Sequence, residues 1–161
     1  MKKIQALIVL FIFVFVTAIQ AQPKIGDTAK EIALKNLNGV TERLSDHRGK
    51  IVLVDFWASW CGPCRQSNHE LQSLYSKYKD KGFEIFGISL DKIVADWKKA
   101  INADRITWKQ VTEPGGWNAP VALAWGIEEL PTSFLLDKEG KIIAVDPSSK
   151  EIEELLIKSA R

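Results

Sequence analysis

The sequence predicts an α/β domain: a central mixed β-sheet flanked by helices, with an added β-hairpin at the N-terminal end. Three observations point there. Two runs, IVLVDFW (51–57) and FEIFGIS (83–89), are apolar almost throughout, the pattern of strands covered on both faces. Between and after them, apolar residues recur at intervals of three and four, so helices alternate with strands. Near the end, TSFLLD (132–137) and KIIAV (141–145) are separated only by Lys138-Glu139-Gly140, whose length and glycine suit an antiparallel hairpin.

The chain begins MKK, continues as an apolar run from Ile4 to Val16, and then turns smaller and more polar in TAIQAQ. That order is the pattern of a secretory signal peptide, with cleavage after Ala21. Residues 1–21 are therefore read as a signal peptide and 22–161 as one domain. The alternative is an uncleaved anchor, since residues 4–21 approach the roughly 20 apolar residues that span a bilayer. No cysteine follows the run, which excludes a lipid-modified N-terminal cysteine. Either reading places the domain outside the cytoplasm, secreted or periplasmic, where disulfides persist. Membrane contact is expected only if residues 4–21 stay attached.

After the leader, Ile32–Leu37 and Val40–Leu44 flank Asn38-Gly39, a dipeptide that favours a tight turn, and form the N-terminal hairpin. IVLVDFW follows as the centre of the sheet. From Pro63 to Lys81, Cys64, Ser67, Asn68, Leu71, Leu74, Tyr75 and Tyr78 fall on one helical stripe, and Gly82 stands where a helix stops. FEIFGIS is the next strand, Val94–Ala103 a helix, Ile106–Val111 a short strand and Ala119–Trp125 a short helix. Residues 113–117 (EPGGW) read as a connecting loop, with a substrate-facing loop as the alternative. Ser148 with Glu151 makes a capping box for a last helix reaching Lys158.

Lysine and arginine total 22 against 20 aspartates and glutamates among 161 residues, and the excess lies in Lys2 and Lys3. No basic surface for nucleic acid is implied.

The chain holds two cysteines, Cys61 and Cys64, at the junction of the central strand and the long helix. This places Cys61 at a helix N-terminus, where unpaired N–H groups and the helix dipole stabilise a negative sulfur. In such motifs the thiol pKa falls from about 8.5 to between roughly 3.5 and 7.5. Cys61 is thus expected to be the exposed, attacking thiol. Cys64, one turn inside, is expected to be shielded and to resolve a mixed disulfide. Gly62 relieves the turn between them, and Pro63 fits a first helical turn because its missing N–H had no partner there. So short a ring restrains little chain, which argues against a purely structural disulfide. Zinc requires four ligands as a rule, and only His47 and His69 could join the cysteines. No metal or other cofactor is expected. A peroxide-reducing site would be built around one cysteine, not a pair.

Asp55 interrupts IVLVDFW, where a carboxylate is costly to bury. At the end of the strand that feeds the helix, it is expected to lie beneath the cysteines with a raised pKa and to exchange a proton with Cys64.

The segment VDFWASWCGPCR resembles the active-site segment of thioredoxin-like proteins, in particular the extracytoplasmic TlpA/ResA group. GKIVLV before it, GFEIFGISLD after the helix and LPTSFLLD-x-x-GKI near the end resemble that group in order and spacing, over roughly residues 24–158. The resemblance implies a thioredoxin fold and a thiol-disulfide oxidoreductase. It further implies that Pro131 is a cis-proline lying against the cysteine pair and presenting backbone to a substrate chain. Trp57 and Trp60 match aromatics that flank the site, with core packing the equal alternative for Trp57. Trp60, Gly62, Pro63, Leu130 and Pro131 make up the expected substrate-binding surface. The group commonly has glutamate and proline where this chain has Ser67 and His69, which leaves Asp55 as the proton-transfer candidate.

The expected function is reduction of disulfides in envelope proteins by a monomer that a membrane thiol donor recharges. The alternatives are a disulfide oxidase or isomerase, or a non-catalytic thioredoxin-fold module that binds a partner or handles a metal.

Overall fold

A computed structural model describes residues 21–159. All but the last residue of the segment read as a signal peptide lies outside that span. No described helix is long and apolar enough to cross a membrane.

Among the described residues, seven strands form one mixed sheet. In chain order these are β1 (Ala33–Asn36), β2 (Thr41–Arg43), β3 (Ile51–Trp57), β4 (Phe83–Ser89), β5 (Lys109–Thr112), β6 (Thr132–Leu136) and β7 (Ile142–Val145). Their spatial order is β2-β1-β5-β4-β3-β6-β7, which puts the two continuously apolar strands at the centre. β3, β4 and β5 run parallel, β6 pairs antiparallel with β3, and β7 antiparallel with β6. The helices are α1 (Gly62–Tyr78), α2 (Val94–Ala103), α3 (Pro120–Trp125) and α4 (Ser149–Ser159). Both faces of β3 are buried, as its unbroken apolar run predicts. Leu53 and Trp57 pack with Cys64, Leu71, Trp97 and Ile152 beneath α1, α2 and α4. Val52, Val54 and Phe56 pack with Trp125 and Phe134 on the α3 side.

α1 ends at Tyr78 and gives way to a 3-10 turn before Gly82, short of the expected Lys81, and two further differences from expectation have a clear cause. The hairpin loop is not the dipeptide Asn38-Gly39 alone: Asn36 N–H donates to the Val40 carbonyl at 2.8 Å, leaving three loop residues with Gly39 left-handed at φ 76°. That is a type I turn closed by a bulge, which lets the strands keep their twist. β5 begins at Lys109 and not Ile106, because Ile106 and Trp108 turn into the core under α1 and α2 instead of joining the ladder. The capping box is present: Ser148 N–H donates to Glu151 Oε2 at 2.8 Å, and Glu151 N–H to Ser148 Oγ at 3.3 Å.

The N-terminal segment straps the sheet. Residues 26–29 lie against the start of β7, with Gly26 N–H donating to Ile142 O at 2.8 Å and Ala29 N–H to Gly140 O at 2.9 Å. Ala29 and Ile32 are then buried on the α3 side, and β1 pairs antiparallel with β5 at the other side of the sheet.

Asp104, just after α2, anchors α1. Its buried carboxylate accepts from the Arg65 guanidinium and, at 3.2 Å, from the Asn68 amide, while its carbonyl accepts from Gln72. Burial pushes this acid up, but Arg65 and Asn68 outweigh burial and hold it below the ordinary carboxylate range. Asp104→Ala is expected to cost about 2 kcal/mol, because it strands Asn68 while leaving Arg65 free to turn to water. Urea unfolding at pH 7 measures the loss.

Candidate active site

DFWASWCGPC folds as strand, turn and helix. The turn at 58–60 is held from outside by Asp91, which the sequence reading passed over. Ser59 N–H donates to both Asp91 carboxylate oxygens, at 3.0 and 3.2 Å, and the Ser59 hydroxyl donates to Oδ1 at 2.6 Å. The Ser89 hydroxyl donates to Oδ2 at 2.7 Å. A buried aspartate satisfied on both oxygens thus fixes the residues just before Cys61. The only signal for it was Ser89-Leu90-Asp91 at the end of a buried strand.

Cys61 is the N-cap of α1, and Cys64 N–H donates to its Sγ at 3.2 Å. This is one of the unpaired first-turn donors, and it faces the sulfur that must carry charge. The two cysteines are joined as a disulfide. Cys64 is 1 % exposed, the shielding expected of it. Cys61 is only 6 % exposed, contrary to the expectation of an open thiol, because in the disulfide its sulfur packs against the helix end in the same core as Cys64. Gly62, Pro63 and Trp60 beside it are exposed.

The Leu130–Pro131 peptide bond is cis. Pro131 is exposed and Leu130 half-buried. Because Thr132 is registered against Phe56, Pro131 falls level with the end of β3, where the turn to Cys61 begins. Trp57 is fully buried, and its indole donates to Gln110 Oε1 at 2.9 Å. Gly87 permits this: a Cβ there would lie 2.1 Å from Gln110 Nε2. Trp57 is core, not surface.

Asp55 is 4 % exposed, on the α1 side of β3 between Leu53 and Trp57. Burial, with a smaller push from the Asp146 charge, raises its pKa from 3.8 to about 7. It is not sealed in. A cavity of about 150 Å³ joins it to Ser67, Glu70, Pro131, Ser133 and Asp146, of which Glu70, Pro131 and Asp146 are exposed. Ser67 therefore lines this cavity, together with the carboxylates of Glu70 and Asp146, which the sequence alone did not place there. Asp146 is held there by Ser133, whose N–H donates to its Oδ1 at 2.6 Å. Its distance along the chain from Asp55 hid it.

The two histidines are not gathered at the cysteines. His47 is buried against Phe86, which belongs to the core on the opposite face of the sheet. His69 is exposed on α1, 3.8 Å from Asp104.

The site thus holds a cysteine pair at a helix start, a buried carboxylate on the strand that feeds that helix, and a cis-proline level with the end of the same strand. Known proteins resemble this chain in sequence and in shape. The AhpC/TSA family profile matches residues 25–145. A thiol-disulfide oxidoreductase ResA of Bacillus thuringiensis subsp. konkukian is 33% identical over 138 residues, covering 84% of this chain and 78% of that one. Among solved structures, the thioredoxin domain of a thiol-disulfide oxidoreductase from Bacteroides vulgatus superposes with a TM-score of 0.78 at 36% identity, covering 86% of this chain and 99% of that one. A thiol-disulfide oxidoreductase from Bacteroides fragilis gives 0.76 at 35%, covering 83% and 99%. With its paired cysteines at a helix start, this chain belongs to the AhpC/TSA family, within the ResA-like group of thioredoxin-fold thiol-disulfide oxidoreductases.

Proposed function

We propose that the protein works outside the cytoplasm as a reductase of protein disulfides. The Cys61 thiolate attacks one sulfur of a substrate disulfide. A mixed disulfide forms, and the other substrate sulfur leaves as a thiolate that takes up a proton. Asp55, ionised, accepts the Cys64 proton. Cys64 then attacks the Cys61 sulfur, which releases the second substrate thiolate and leaves the Cys61–Cys64 disulfide. Two electrons have passed to the substrate, and a membrane dithiol donor returns two by the reverse sequence. Pro131 and Leu130, with Trp60, Gly62 and Pro63, face the substrate chain. Residues 1–21 direct export, and the domain from residue 22 acts as a monomer.

The observation that carries the proton step is Asp55, buried on the α1 side of the strand feeding the cysteine helix, with its pKa near 7 and a cavity reaching it. A base poised near working pH is what such a transfer requires. The direction is supported by the Gly62-Pro63 pair, which resembles reducing members of the superfamily. The ResA name of the relatives supports disulfide-bearing protein substrates.

The decisive measurement is the reduction potential of the full chain, equilibrated against glutathione. A value near −270 mV is expected, since dithiols of that potential reduce others, and a value near −120 mV belongs to an oxidant and sinks the reductive direction.

A further inference from the structure

Three loops meet beyond the carboxyl ends of the parallel strands β3, β4 and β5, the place where α/β sheets bind ligands. Trp60 comes from the first loop, Leu90, Lys92 and Ile93 from the second, and Gly116 and Trp117 from the third; together they line one groove of about 310 Å³. The Trp60 and Trp117 rings meet edge to face with centroids 5.9 Å apart. Trp60 is 57%, Ile93 60% and Trp117 41% exposed, and neither tryptophan belongs to either hydrophobic core. Folding stability therefore does not account for this apolar surface.

The third loop is shaped to reach it. Gly116 adopts φ 62°, and a Cβ there would stand 2.9 Å from Lys92 Cε, so the missing side chain lets the loop close over the lysine stem. Asp91, at the groove floor, is satisfied by Ser59 and Ser89, while exposed Lys92 and Asp96, the latter from the first turn of α2, put one charge of each sign at the rim and leave the wall between the tryptophans apolar.

We infer that this groove is a specificity site for the polypeptide substrate, taking a large apolar side chain next to the attacked cysteine, with Trp117 the residue that makes it selective. The inference rests on the reading of the protein as one that exchanges disulfides with other proteins. Continuity with the reacting pair identifies the occupant. Trp60 is both a groove wall and the residue before Cys61, and consecutive Cα atoms stand about 3.8 Å apart. A substrate whose sulfur reaches Cys61 brings its neighbouring residue to the groove mouth. The volume lies at the small end of ligand pockets, room for one or two side chains and no more. Tryptophan is the residue type that most often dominates binding at such contacts.

The test uses two cyclic disulfide peptides, identical except that Phe or Ser precedes each cysteine, reduced by the full chain. Wild type is expected to favour the Phe peptide about tenfold in kcat/KM, the size of one good aromatic contact. Trp117→Ala should bring that ratio to within about twofold, and Trp117→Phe should keep most of it. Equal rates on both peptides for wild type, or an unchanged ratio in Trp117→Ala, overturn the proposal. So does a wild-type dimer that Trp117→Ala dissolves, since the groove would then hold a second copy of this chain. If the chain oxidises the reduced peptides instead of reducing their disulfides, the reductive direction fails, while the ratio still judges the groove.

Discussion

Asp55→Asn is expected to stabilise the protein by about 2–4 kcal/mol at pH 8 and to slow exchange by up to about 10²-fold near pH 7. Its folded pKa is raised from 3.8 to about 7, so between those values the folded state binds a proton that the unfolded state has lost. Stability therefore falls as pH rises through that window, by about 1.4 kcal/mol for each pH unit crossed, and the full penalty is present above pH 7. Asparagine removes the penalty but leaves an amide to bury, which is why the gain falls short of the whole penalty. At roughly 2–4 °C per kcal/mol for a chain of this length, the melting temperature rises by about 5–15 °C at pH 8 and hardly at all at pH 4. The kinetic deficit should shrink above about pH 9, where an ordinary thiol ionises without help. A variant with unchanged stability across pH 4–8 would show that the carboxylate ionises in the fold at little cost, and the proton step would lose its basis.

Cys64→Ser is expected to abolish turnover while leaving the first attack intact. With no resolving thiol, Cys61 stays bound to its substrate, so one covalent adduct per chain accumulates and reductant releases it. Cys61→Ser should form almost none, because the remaining sulfur is 1 % exposed and a turn inside the helix. Mass spectrometry after mixing with a disulfide peptide reads both results. Adducts on Cys64 in preference to Cys61 would reverse the assigned roles.

The two predictions draw on residues that were legible from sequence for different reasons. Cys61 and Cys64 announce themselves by spacing alone, because a helix start puts the first sulfur at the N-cap and the second one turn inside. Asp55 shows by contradiction, as a carboxylate in a run that is otherwise apolar. The central strands were readable because burial on both faces leaves no room for alternation. What could not be read was whatever depends on elements meeting from far along the chain. Asp146 reaches the Asp55 cavity only because β7 lies beside β6, and Trp117 meets Trp60 only because three loops converge. Asp91 looked like an ordinary residue after a strand until the turn before Cys61 was seen resting on it. Exposure of Cys61 does not follow from its N-cap position, because its side chain packs into the same core as Cys64.

The strap at residues 26–36 constrains when the molecule can finish folding. Its first part pairs beside Ile142 and Gly140, near the other end of the chain, and its second part pairs with β5. Contacts so distant in sequence form late, because the loop-closure entropy must be met before they return anything. Residues made first must therefore wait, unpaired, for the last strands to emerge. Until then β5 and β7 each present a bare edge able to pair with another chain. The same segment that starts the domain is thus the clasp that closes it, covering the edge of β5 at one side of the sheet and the start of β7 at the other.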